Sequence, residues 1–418
     1  MPSHGGPTRT GSHRWRGLVA RSGAWLDARV SVGEAIALVV FFLAVWVGKW
    51  VSDDGYIYLT YVQNLVDNGD GAVFNAGEQV EAYTSVAWFS LLSLLAAVAP
   101  RSWLGLPELT LLLSVAVSIG AACRWPAVER RATAIRSSAG RTIVCVPLAL
   151  MAATYVFRSF ATSGLETPLL FLWAITTIGW LWSFEPNTRR LAFAAGVAPI
   201  VRPDLALVSL ILVALVAWRW ARARRAGGAA AASNRDAAAL VALAAVPLAV
   251  TTLVRVMVYG QLLPNTYYAK TDAGQGASQG LHYLADIAWR YGLPVVLAAA
   301  VATIVVPVVT AGGLAGIDAG GRARLRRRLL LAAIATVTAI YVVVIGGDFM
   351  HGRFWITPWL FLLGMLAGAG TDVASWAVAR RSTSPGRLLG PSVGVVVTAV
   401  LLVTILPMGS RQRAADGG

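Results

Sequence analysis

The chain has 418 residues, 57% of them hydrophobic and 13% charged, where a soluble domain carries about 25% charged residues. That composition excludes an ordinary soluble enzyme and predicts an all-α polytopic membrane protein. The net charge of +15 does not point to nucleic acid, because the arginines fall between hydrophobic runs, as in the cytoplasmic loops of membrane proteins, where anionic lipid headgroups are their partners.

Residues 1–32 form a basic, cytoplasmic N-terminal tail, and the apolar run that follows has no small-residue cleavage site after it, so it reads as an uncleaved first span. Further runs close to the roughly 20 residues that cross a bilayer complete the series 33–51, 107–123, 142–157, 168–184, 237–258, 291–313, 329–345, 354–370 and 391–408. Residues 84–100 are apolar but short and end at Pro100, so they read as a juxtamembrane or re-entrant segment. Residues 192–220 are interrupted by Arg202-Pro203-Asp204 and read as two half-helices or a broken hairpin that enters and leaves on the cytoplasmic side. Broken backbone at membrane depth needs a cover of protein or a water-filled cavity. The transmembrane domain is expected over 33–408, with about 9–11 spans, and residues 409–418 as a short outer tail.

Arginine counting sorts the loops. The N-terminal tail and the clusters at 124–141, 189–190, 219–235, 322–328 and 380–387 fall inside. Residues 52–106, 158–167, 259–290 and 346–353 fall outside. The outer loops carry almost every unusual polar motif, so the expected chemistry is extracytoplasmic.

Asp53 and Asp54 stand at the mouth of the first span. An ionised acid near hydrocarbon costs several kcal/mol unless it is satisfied or used. Two adjacent carboxylates also raise one another's proton affinity, which suits a general base that takes a proton from a hydroxyl, or a pair that shares a divalent cation. Residues 56–65 (Tyr56, Ile57, Tyr58, Tyr61, Leu65) read as an amphipathic surface helix. Glu81 and Tyr83 precede the 84–100 segment, and Glu166 ends the outer turn Thr162-Ser163-Gly164-Leu165-Glu166, with Arg158 just upstream. Arg202 and Asp204 mark a structural or functional break. Asn265, Tyr268 and Lys270 lie in PNTYYAK; the amide suits sugar hydroxyls, the ring suits a sugar face or an isoprene unit, and the lysine suits a phosphate. The loop GGDFMHGR places Asp348, His351 and Arg353 within six residues, and Arg353 suits bidentate phosphate binding. There is no P-loop, no Rossmann glycine pattern and no HExxH. Cys123 and Cys145 flank one basic loop and read as small buried hydrophobes.

The stretches DDGYIYLTYVQNLV, FNAGEQVEAYTS, TSGLETPL, VRPDLAL, LPNTYYAKT and GGDFMHGRFWITP, in this order over 53–358, together resemble the GT-C glycosyltransferases. The closest likeness is to the AftB-type terminal β-(1→2)-arabinofuranosyltransferases of actinobacterial cell walls and the related proteins labelled ZomB. The resemblance implies a GT-C-type bundle with juxtamembrane helices in the first outer loop, and a decaprenyl-phospho-arabinose donor. It implies a cell-wall arabinan acceptor, of arabinogalactan or lipoarabinomannan. By the same likeness, Asp53 or Asp54 matches the first-loop acid. Lys270, Arg353, His351 and Arg158 would hold the donor phosphate, and Glu81, Tyr83, Glu166, Asn265, Tyr268 and Asp348 would hold sugar or acceptor. Family members usually carry a soluble C-terminal domain, and none is expected within this chain. Two other readings fit the sequence: a lipid-linked sugar flippase or transporter, and a non-catalytic membrane protein of wall assembly. The crowding of motifs on one face favours the transferase.

Overall fold

The computed structural model describes residues 31–99, 104–133, 145–183, 186–226, 233–265 and 276–369, and among them every regular element is helical. Most of the N-terminal tail, the expected span 391–408 and the outer tail 409–418 lie outside the described residues. The chain runs α1 (Val32–Val47), α2 (Asp53–Gln63) with a closing π turn at Asn64–Asn68, α3 (Val86–Val98), α4 (Leu106–Ala122) and α5 (Trp125–Thr133). It continues as α6 (Val146–Ala153), α7 (Tyr155–Phe160), α8 (Thr167–Leu181), α9 (Thr188–Val201) and α10 (Ala206–Arg225). The last described helices are α11 (Asn234–Tyr259), α12 (Ala277–Arg290), α13 (Leu293–Thr310), α14 (Ala319–Val344) and α15 (Ile356–Leu366).

Local chemistry sets where these helices begin. Ser31 and Glu34 form a capping box at α1, with bonds of 3.2 and 2.8 Å. Ser52, Ser85, Asn187, Ser233 and Asp318 cap α2, α3, α9, α11 and α14 by accepting first-turn N–H groups. Prolines stand in the first turn of α4, α6, α8 and α13, where a missing N–H costs nothing.

Five described stretches are long and apolar enough to cross a membrane: Leu106–Thr133, Pro203–Arg225, Asn234–Tyr259, Leu293–Thr310 and Ala319–Val344. The 13 residues of α3 reach only about 20 Å at 1.5 Å per residue, short of a hydrocarbon core of about 30 Å. That length fits the juxtamembrane reading of 84–100. The expected span 142–157 is two short helices, because Thr154 adopts extended backbone and separates α6 from α7. The expected half-helices of 192–220 are longer than half. α9 and α10 form a hairpin whose corner is Arg202 followed by the 3₁₀ turn Pro203–Leu205, and α10 is long enough to cross with that turn. Arg202 can leave the helix because Pro203 disfavours α geometry before it.

The core is built around α8 and α15. Every residue of α15 is buried, as are most of α8, α6 and the inner face of α9. Trp125, Trp182 and Trp359 are fully enclosed there, with Phe157 edge-on to Phe171 and Trp359. A second apolar cluster lies under the 72–92 segment. Tyr83 stacks on Phe89 at 4.3 Å and meets Tyr61 edge-on at 5.1 Å, over Trp88 and Leu92. Tyr58, Leu59, Tyr61 and Val62 of α2 are therefore buried against protein, while Tyr56 and Leu65 stay exposed. The surface-helix reading holds for one face only.

The bundle has two chemically distinct ends. At one, arginines cap helix C-termini: Arg131 donates to Gly179 O at 2.8 Å and Arg327 to Ser183 O at 2.9 Å, both at the end of α8. Arg219 donates to Pro186 O at 2.9 Å, and Arg189 pairs with Asp236 at 2.7 Å. At the other end, α2, the start of α8, the 202–204 corner and the 346–353 loop converge. Cys145 is buried as expected, but Cys123 is exposed, because it closes α4 at the rim of the bundle.

Gly196 sets the spacing of α9 and α11, since a Cβ there would collide with Leu243 O and lie 3.0 Å from Ala244 O. Gly196→Val is expected to force these helices apart and cost about 1–3 kcal/mol, seen as a lower melting temperature of the purified protein in detergent. An unchanged melting temperature would remove this contact from the account.

Candidate active site

The acid pair is positioned by its neighbours. Ser52 N and Ser52 Oγ both donate to Ser163 O at 2.9 Å, and Ser52 Oγ accepts from Gly55 N at 3.1 Å. The first turn of α2 thus rests on the 162–166 turn. A Cβ on Gly55 would lie 2.8 Å from Ser163 O and 3.2 Å from Gly164 Cα, and Gly164 itself sits at φ +79°. Only glycine fits both places. Asp53 and Asp54 become the first two residues of α2, at the favourable end of its dipole.

Their side chains then diverge. Asp53 is exposed, while Asp54 turns inward and accepts from Arg353 Nη1 at 3.0 Å. Arg353 also lies 3.6 Å from Glu166 and 3.8 Å from Asp348. Glu166, only 1% exposed, lies 3.7 Å from Arg202, whose Nε and Nη2 donate to the two oxygens of Asp204 at 2.9 and 3.1 Å. The Tyr58 hydroxyl donates to Glu166 at 3.4 Å and shares a 3.1 Å bond with Thr84. Four carboxylates (Asp54, Glu166, Asp204, Asp348) thus surround two guanidinium groups (Arg202, Arg353), leaving an excess of negative charge.

Arg353 and Tyr58 both hold their protons. Burial alone would make Arg353 a weaker base, but Glu166, Asp348 and Asp54 outweigh it and hold Arg353 above arginine's usual range. Burial and Glu166 push Tyr58 well above the usual phenol range, so it acts as a hydrogen-bond donor. Arg353 Nε and Arg202 Nη1 are buried without a protein acceptor. Among the described residues no three His, Cys, Asp or Glu side chains group as a metal site, and the cation on which the acids converge is Arg353.

The GGDFMHGR loop divides its residues. Gly347 and Gly352 adopt φ of +83° and +84° and reverse the backbone. Asp348 and Arg353 join the acid network, whereas His351 faces α12. His351 Nδ1 meets the Tyr291 hydroxyl at 3.0 Å, and Nε2 bonds to Asp286. Asp286 also accepts from Arg290 at 2.7 Å, and the Tyr283 hydroxyl accepts from Gly352 N at 2.9 Å. His351 is therefore not beside Arg353, despite two residues of separation.

Glu81 and Tyr83 also lie apart from the network. Arg255 grips Glu81 with two bonds, one of 3.1 Å, and burial pushes the Glu81 carboxyl up while Arg255 draws it back. Tyr83 and Tyr259 share a 3.2 Å bond, and Tyr259 donates to Ala72 O at 2.6 Å. These contacts staple the first loop to the end of α11. Arg158 lines a groove between α1 and α7 with Trp50, Tyr155 and Ser159. Asn265 is half-buried at the edge of the described region, and Tyr268 and Lys270 lie outside it. Sequence reasoning missed Arg255, Tyr259, Asp286, Tyr283 and Tyr291. Arg255 had a usable signal, a lone cation in the apolar run LVRVMVY.

No family model matches the chain. Two curated relatives align with it. A protein of Corynebacterium glutamicum named terminal beta-(1->2)-arabinofuranosyltransferase is 33% identical over 359 residues, covering 77% of this chain and 48% of its own length. A protein of Mycobacterium tuberculosis with the same name is 31% identical over 384 residues, covering 82% of this chain and 55% of its own. By sequence, the chain belongs to the AftB-type family. It spans about half the length of these relatives. The family likeness read from the six motifs is therefore supported by both alignments, and the AftB-type assignment fits an all-helical membrane bundle.

Arg353→Gln would leave three carboxylates without their shared cation. Breaking a buried pair this way costs about 3–5 kcal/mol, so the melting temperature should fall sharply and Asp348→Asn in the same chain should restore part of it. Asp286 has a pH signature of its own. Its burial pushes it up, but hydrogen bonds from Arg290 and His351 pull it below the usual carboxylate range. A lowered folded value stabilises above the unfolded value of about 3.9 and is lost as pH falls through the folded one. Amide exchange over 349–352 should therefore stay slow, once corrected for intrinsic rate, down to about pH 4 and rise below it, whereas Asp286→Asn should exchange fast throughout.

Proposed function

We propose that this chain is the membrane catalytic part of an arabinofuranosyltransferase working on the outer face of a bacterial plasma membrane. The donor is decaprenyl-phospho-arabinose, and the acceptor is the end of a cell-wall arabinan that gains a terminal β-(1→2) unit. One observation carries the reading: the acid cluster gathered by Arg353 lies at the end of the bundle opposite the arginine-capped helix ends. The family name of the two relatives supports the sugar, and the positive-inside pattern supports the face.

In the reaction an acceptor hydroxyl attacks the anomeric carbon of arabinofuranose. The bond from that carbon to the phosphate oxygen breaks, and polyprenyl phosphate departs with the electron pair. Asp54 takes the hydroxyl proton. It is 34% exposed on its side chain and aimed by Arg353, so it is reachable from outside and fixed from within. The remaining carboxylates favour the positive charge that develops on the furanose ring. Phosphate is a good leaving group, so positioning supplies much of the rate. Arg353 is committed to acids; Arg158 and Lys270 are the cations for the donor phosphate, and the orphan N–H groups of Arg353 and Arg202 meet sugar or phosphate oxygens. His351 positions the loop through Asp286.

Purified protein, decaprenyl-phospho-arabinose and a synthetic arabinan acceptor test this directly. Wild type should transfer arabinose, Asp54→Asn should lose about 10²-fold or more in kcat, and Asp53→Asn should lose less. Full activity in Asp54→Asn sinks the assignment of the base. No transfer from any polyprenyl-phosphate sugar sinks the reaction.

A further inference from the structure

Phe354 is an apolar side chain set among charges. It is half-buried, directly after Arg353 and one residue before the N-cap of α15. The Arg202 guanidinium carbon lies 5.2 Å from its ring centroid, and that of Arg353 lies 5.8 Å from it. Both distances fall within the roughly 6 Å at which a cation is attracted to the negative face of an aromatic ring. One ring therefore meets two guanidinium groups from different segments, Arg202 at the α9–α10 corner and Arg353 at the end of the GGDFMHGR loop.

The two cations are crowded. Glu166 Oε1 lies 3.7 Å from Arg202 Nε and 3.6 Å from Arg353 Nη2, so a single carboxylate oxygen serves both. Like charges this close repel, and more so where little water screens them; Arg202 and Arg353 are 2% and 6% exposed. Acids balance the charge but take N–H groups in doing so. Asp204 takes Arg202 Nε and Nη2, and Asp54 takes Arg353 Nη1. An aromatic ring acts differently. Its quadrupole attracts a guanidinium and uses none of its donors, so Arg353 keeps Nη1 for Asp54. An acid at this place would draw Arg353 away from Asp54, and an aliphatic side chain would pack without attracting either cation.

Phe354 is itself held firmly. Trp355 N donates to Gly352 O at 3.1 Å and Ile356 N to Arg353 O at 3.3 Å, which closes a tight turn around it. The Tyr283 hydroxyl accepts from Gly352 N at 2.9 Å and also hydrogen-bonds to the Phe354 backbone. The side chain packs against the edge of the main core.

We infer that Phe354 is a positioning residue of the acid cluster: its ring holds Arg202 and Arg353 at their separation and thereby keeps Arg353 aimed at Asp54. Its effect on rate rests on the transferase reading; the contact between the ring and the two guanidinium groups does not.

Mono-, tri- and pentafluorophenylalanine placed at position 354 change the ring's electronics at nearly constant size, because fluorine withdraws charge from the face that the cations meet. With decaprenyl-phospho-arabinose and the arabinan acceptor, kcat should fall stepwise along this series, about tenfold or more at the pentafluoro ring, with donor and acceptor KM unchanged. Phe354→Leu should fall as far, and Phe354→Tyr should recover most of kcat. Melting temperature in detergent should fall in the same order, and its spread across the series should shrink in Arg202→Gln. In an active protein, a kcat that stays flat across the fluorinated series overturns the inference, as does a Phe354→Leu enzyme with the kcat of Phe354→Tyr. Should Phe354→Leu fail to fold, the fluorinated series decides alone. A wild type that transfers no sugar removes the reaction, and the ring contact is then judged by melting: a stepwise fall that Arg202→Gln diminishes supports it, and equal melting temperatures overturn it.

Discussion

One buried guanidinium organises the functional end of this molecule. Arg353 is 6% exposed, and a charge so placed is costly unless it is neutralised and hydrogen-bonded. Three acids answer it from three separate segments: Asp54 from the first turn of α2, Glu166 from the turn before α8, and Asp348 from its own loop. Each acid brings its segment along. Glu166 extends the arrangement to Arg202, so the corner of the α9–α10 hairpin is fixed to the same point. The acids outnumber the cations, and the cluster keeps a negative field without any single carboxylate lacking a nearby positive charge.

The opposite end obeys the reverse logic. There the arginines outnumber the acids and donate to carbonyls that the ends of α8 leave unpaired. Charge separation along the bundle axis therefore serves two purposes at once. It satisfies helix termini, and among the described residues the cations paired with the carboxylate cluster are Arg202 and Arg353. The short helices α8 and α15 are possible because protein surrounds them; the irregular turn at 161–166 is buried throughout, while the 346–355 turn leaves Phe349 exposed.

Much of this was legible in the sequence. Apolar run lengths gave the helices, and arginine positions separated the two ends. The misplaced charges Asp54, Glu166, Arg202, Asp348 and Arg353 were each visible as polar groups where apolar ones belong, and those five do meet. Partnership was not legible. Glu81 and Arg255 are 174 residues apart, and nothing local says that α11 ends beside the first loop. His351 stands two residues from Arg353 yet serves a different cluster, because the left-handed Gly352 between them turns the chain. Helix lengths erred for a related reason. Hydropathy continues past Ala153 and Leu366, whereas extended backbone at Thr154 and Ala367's departure from α geometry end the helices there.

The clasp between Ser52 and Ser163 has a mechanical meaning. It fastens the acid-bearing helix to the turn before α8, not to the first helix that precedes it in the chain. Residues 48–52 between α1 and α2 are non-helical, so they form a joint with a rigid body on one side. That joint is pinned to the same stretch of chain, since Trp50 N donates to Thr162 Oγ1 at 3.4 Å and the Trp50 indole to Ser159 O at 2.9 Å. The position of Asp54 is thereby set by the turn before α8, whatever the direction from which α1 arrives.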